Sequence, residues 1–69
     1  MSTSYDKDAL RRLREKRGLL LPELASLAGL APNTVNYIER GVTAPRADTL
    51  AKLATALNVD VSKFFIRAA

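Results

Sequence analysis

Neither cysteine nor histidine occurs in these 69 residues, and tryptophan is missing as well. Without thiols there is no disulfide and no thiolate metal site to reinforce a small core. Without imidazole only carboxylates remain as metal ligands, and the seven acidic residues are scattered, not grouped at ligand spacing. No metal and no cofactor is expected. The same gaps argue against an enzyme, since there is no histidine, cysteine or carboxylate dyad and no glycine-rich phosphate loop. Nor is there a long apolar run: Leu19-Leu20-Leu21 stops at Pro22, far short of the ~20 residues that cross a bilayer. Residues 1–8 are polar and carry no signal-peptide core. A soluble, intracellular protein is the expectation.

What is present is one domain's worth of helix. A chain of this length leaves no room for a second core and buries only roughly 60% of its unfolded surface. Net charge is +4, which suits a polyanionic partner without establishing one. The distribution says more than the total. Lys7, Arg11, Arg12, Arg14, Lys16 and Arg17 fall within residues 7–17, whereas residues 18–39 contain no cation. Arg40, Arg46, Lys52, Lys63 and Arg67 complete the set. Any electrostatic footprint must therefore come from the edges of the domain.

The first helix is predicted from Asp6 to Arg17, with Leu10 and Leu13 on its inner stripe and Gly18 past its end. At 100° per residue Arg14 joins that stripe, so it should be partly buried and need an anion. Pro22 is preorganised to open a second helix that stops at Gly29. Pro32 opens a third, ending at Arg40-Gly41, with Val35 and Ile38 inward. After a loop over 42–46, Leu50, Leu53, Ala54 and Leu57 mark a fourth helix from Ala47, closed by Asn58. Asp60 is an N-cap for a short fifth helix through Phe64 and Phe65. No strand pattern, internal repeat or low-complexity segment is visible.

With these elements in order, the string GLLLPELASLAGLAPNTVNYIERG at residues 18–41 resembles the helix-turn-helix of the Cro and phage-repressor type, the xenobiotic-response-element-like family of prokaryotic regulators. LRRLREKRG resembles that family's first helix and PRADTLAKLATALNVDVSKFF its last two, so the likeness spans about residues 10–65. The resemblance implies an all-α, five-helix, lambda-repressor-like DNA-binding domain over 1–69, with its core at about 6–66 and the helix-turn-helix at about 22–40. It further implies a cytoplasmic, nucleoid-associated transcriptional regulator, a repressor binding a palindromic operator as a homodimer.

On the third helix Asn33, Asn36, Tyr37 and Arg40 share an arc of roughly 100° opposite Val35 and Ile38. Asparagine can pair with the N6 and N7 edge of adenine, and tyrosine can pack on a thymine methyl or reach a phosphate. By resemblance, Pro32, Asn33 and Tyr37 occupy base-reading positions, and Thr34 and Arg40 backbone-contact positions. Arg46 is a second phosphate candidate. The rival reading makes the asparagines solvated helix residues and Tyr37 a protein contact. Arg11, Arg12 and Lys16 are read as a solvated face that raises the local potential.

The resemblance also supplies the anion for Arg14: it pairs that arginine with Glu39, as a structural contact between first and third helices. Against this stands an exposed pair of little worth. The chain departs from the family pattern at the start of its second and of its third helix. Leu20 and Leu21 replace a hydroxyl cap and a backbone-clamping glutamine, and Ala31-Pro32 replaces the small polar cap of the third helix. Weak monomer affinity follows, which dimerisation would offset. By family analogy Phe65 and Ile66 serve self-association, although both could pack locally. The competing function is a protein-interaction module or antitoxin that docks a polypeptide through Leu20, Leu21 and Leu27. No separate sensing domain is evident, so control through concentration, dimerisation or a partner is expected.

Overall fold

In the computed structural model, which describes residues 3–67, the chain runs β1 (Thr3–Tyr5), α1 (Ala9–Lys16), α2 (Leu21–Ala28), α3 (Pro32–Glu39), α4 (Ala47–Leu57), a 3₁₀ turn (Val61–Phe64) and β2 (Phe65–Arg67). The helices owe their ends to local signals. The N–H of Asp8 bonds the Asp6 carboxylate at 3.0 Å and that of Ala9 the Asp6 carbonyl at 3.1 Å, so a turn takes residues 6–8 and α1 starts later than predicted. Gly29 ends α2 at φ +69°, a left-handed conformation that costs glycine nothing. The N–H of Leu30 then reaches back to the Ala25 carbonyl at 2.9 Å, closing the corner. Asn58 ends α4 at φ +55°, which asparagine tolerates better than most side chains.

Helices of eight residues, such as α1, α2 and α3, cannot stand alone in water. They are held by one core in which Leu10, Leu24, Val35, Leu53, Leu57 and Phe64 are fully buried. Small Ala25 and Ala28 on α2 lie in the same core and permit the close crossing of α2 with α3.

Two expectations are corrected. Among the described residues there is no fifth α-helix, and a strand pair exists where none was expected. Asp60 does act as a cap, its Oδ1 accepting from the Ser62 N–H at 2.9 Å, but the segment completes only one 3₁₀ turn. A single turn gains too few bonds to offset α-helical nucleation. The aromatic and β-branched run Phe65-Ile66 instead extends and pairs antiparallel with the N-terminal peptide, Thr3 opposite Arg67, Ser4 opposite Ile66 and Tyr5 opposite Phe65. Tyr5 and Phe65 meet edge to face, ring centroids 6.1 Å apart. The strand was illegible because its partner is the far end of the chain.

Candidate nucleic-acid interface

α3 is anchored from behind. Val35, Ile38 and Glu39 are buried, while Asn33, Tyr37 and Arg40 are exposed and Asn36 half-buried on the opposite side. Arg14 holds the helix through Glu39: Nε donates to Oε2 at 2.7 Å and the second terminal nitrogen to Oε1 at 3.0 Å. The Glu39 side chain is 1% exposed and that of Arg14 13%, so the pair is nearly withdrawn from water. The remaining Arg14 nitrogen donates to the Leu19 carbonyl at 2.9 Å, tying the α1–α2 turn into the same contact. Hydrogen bonding to Glu39 pushes the Arg14 guanidinium pKa above its usual value, against the opposing effect of burial.

The exposed stripe follows from spacing. Asn33, Asn36, Tyr37 and Arg40 recur at intervals of three and four, which places them on one face of a helix. Pro32 stands exposed at the first turn, and its predecessor Ala31 carries no side-chain cap. The N–H of Asn33 therefore has no acceptor within the helix. Beside the stripe a cleft of about 250 Å³ opens between α3 and the loop into α4, lined by Thr34, Tyr37, Ile38, Thr43, Pro45 and Arg46 among others. The Arg46 side chain is 85% exposed, 3.4 Å from an Asp48 carboxylate oxygen. Such an exposed pair holds the guanidinium only loosely.

The second helix is better capped than the sequence suggested. Leu20 offers no acceptor, yet the Glu23 carboxylate accepts from the Leu20 N–H at 2.7 Å, one half of a capping box. The three leucines of the alternative docking surface differ in burial. Leu20 and Leu27 are exposed, but Leu21 packs against the core. Phe65 and Ile66 are also partly open, at 38% and 55%, and adjacent residues of a strand project to opposite faces.

Two cations lie closer to α3 than the sequence indicates. Arg11 Nε lies 3.5 Å from Glu39 Oε1, so Arg11 belongs to the α3 side and not to a wholly solvated face. Its i, i+3 relation to Arg14 was the available signal. The Lys7 side chain passes so close to Gly41 that a Cβ there would meet its Cδ at 3.7 Å, and no sequence pattern announces that.

Residues 10–64 match the helix-turn-helix family. The HTH-type transcriptional regulator SutR of Escherichia coli K12 is 42% identical over 55 residues, covering 80% of this chain and 31% of SutR. HTH-type transcriptional regulator DdrOP3 of Deinococcus deserti is 37% identical over 78% of this chain and 42% of its own length. The chain thus spans less than half of these curated relatives. Among solved structures, the restriction-modification controller protein C.AhdI of Aeromonas hydrophila superimposes with a TM-score of 0.83 at 37% identity, over 86% of this chain and 89% of that one. With its buried α3 anchor, its glycine corner and this match over most of its length, the chain belongs to the helix-turn-helix family of the Cro and phage-repressor type.

Proposed function

We propose that this protein is a transcriptional regulator that binds double-stranded DNA by placing α3 in the major groove, and that it represses as a homodimer on a palindromic operator. The observation carrying this reading is the exposed stripe of Asn33, Asn36, Tyr37 and Arg40 on a helix fixed from behind by Arg14–Glu39. In it, Pro32, Asn33, Asn36 and Tyr37 address base edges, while Thr34, Arg40 and Arg46 address phosphates. The structural neighbour SinR, the master regulator for biofilm formation, was solved in complex with DNA, which supports the reading at 32% identity. Two-fold pairing would double the few phosphate contacts of one subunit, and the partly exposed Phe65 and Ile66 are the residues assigned to it. The setting is the cytoplasm, at the nucleoid.

Selection from a randomised duplex pool at two salt concentrations tests this directly. A palindromic sequence should be enriched, and Asn33→Ala should abolish the enrichment. No enrichment together with a flat salt response would overturn the DNA reading.

A further inference from the structure

The cations absent from residues 18–39 are returned to α3 by the fold. Around the α3 axis, Glu39 flanks the exposed stripe about 60° beyond Asn36, and Thr34 flanks it about 60° beyond Tyr37 on the other edge. The Thr34 edge carries the cleft with Arg46. The Glu39 edge receives α1. There Arg14 already neutralises Glu39 at 2.7 Å, so Arg11, 3.5 Å away with its side chain 54% exposed, adds a positive charge that the buried carboxylate does not require. Lys7, in the turn that precedes α1, runs alongside Gly41, the residue after Arg40. Among the described residues neither Lys7 nor Arg40 makes a salt bridge, whereas Arg12 is occupied by Asp6 at 3.2 Å.

We propose that Lys7 and Arg11 join Arg40, which lies within the exposed stripe, in a phosphate-binding patch that grips the DNA backbone on the α1 side of α3. The inference rests on the DNA-binding reading above and adds a second set of phosphate contacts to it. A helix seated in a major groove about 12 Å wide has a phosphate strand along each edge. Thr34 and Arg46 serve one strand. On the other Arg40 would stand alone, because Leu20 and Leu21 supply nothing polar at the start of α2. Lys7 in the turn before α1 and Arg11 on α1 add to Arg40 at the end of α3, and their contribution is independent of base sequence.

The test uses the full chain and a labelled duplex bearing the selected site. Lys7→Gln, Arg11→Gln and the double variant are compared with Lys16→Gln, an exposed cation at the other end of α1. Each of the first two should lower the slope of log affinity against log salt by about 0.9, and the double variant by about 1.8, with site preference unchanged. Lys16→Gln should leave the slope alone. Lys7→Gln should also keep the melting temperature of the parent, which makes it decisive if Arg11→Gln weakens the fold through Glu39. Unchanged slopes with a parent that binds DNA would overturn the patch and spare the DNA reading. An equal loss in Lys16→Gln would overturn it as well, by reducing the effect to total charge. A parent that shows no salt-dependent binding would overturn the DNA reading itself.

Discussion

Glu39 takes two hydrogen bonds from the Arg14 guanidinium, at 2.7 and 3.0 Å, across 25 residues of chain. With buried Val35 and Ile38, this contact holds the inner edge of α3, at the end away from the Pro32 turn. Removing one partner strands the other charge in a site that water hardly reaches. Glu39→Ala should therefore cost about 3–5 kcal/mol, read from the urea midpoint. Replacing both residues by methionine should recover most of that loss. A midpoint unchanged in Glu39→Ala would reject the role.

Asn33 and Tyr37 contribute nothing to the core, since both are exposed. Asn33→Ala and Tyr37→Ala should lose site discrimination by about 1–3 kcal/mol per good base contact while melting at nearly the parent temperature. Competition between the selected duplex and a scrambled one measures the first effect. A large drop in melting temperature would instead assign these side chains to packing.

Gly29 isolates backbone strain from crowding. A Cβ there would meet nothing within 4 Å, yet φ is +69°. Gly29→Ala should thus destabilise by about 1–2 kcal/mol, through the left-handed conformation alone. Its crystal structure should show an unshifted α2–α3 corner. Repacked neighbours would contradict the explanation.

Acid should loosen the turns before the core. The backbone N–H of Ser62 holds the Asp60 carboxyl below its ordinary 3.8, and the N–H of Asp8 with the Arg12 guanidinium does the same for Asp6. A carboxyl whose folded pKa is depressed stabilises fully above its unfolded value and loses that contribution as pH falls through the folded one. Stability should therefore decline below about pH 4. Asp6→Asn and Asp60→Asn should flatten that decline in a melting series from pH 6 to pH 2. A parent and variants with parallel curves would discount both groups.

Ile66 is the more open of the two residues assigned to self-association, and Phe65 is partly engaged by Tyr5. Ile66→Asp should shift sedimentation from dimer towards monomer and weaken operator binding, with helical content retained. A parent that sediments as monomer at all concentrations would remove the homodimer from the proposed mechanism.

Much of the helical framework was legible because each helix is written in local terms. Pro22 and Pro32 open, Gly18, Gly29 and Gly41 close, and the Leu50, Leu53, Leu57 stripe declares α4. The Asn33, Asn36, Tyr37, Arg40 face was equally legible, being a matter of spacing alone. The start of α1 was misplaced because Asp6 favours a side-chain turn over helix, a competition that periodicity does not register. The last segment was misread for a different cause. Val61 to Ile66 suits either a short helix or a strand, and the choice fell to Thr3–Tyr5, some sixty residues away.

Local sequence thus decided where the helices lie and which side of α3 is polar, since both depend on residues within a turn or two of one another. Folding decided the rest. It brought Tyr5 to Phe65, turned Leu21 inward while leaving Leu20 and Leu27 out, and carried Lys7 and Arg11 to the flank of α3. Each of those outcomes depends on contacts between residues distant in the chain, which no periodicity encodes, and on a shared core that a helix of eight residues must join to exist at all.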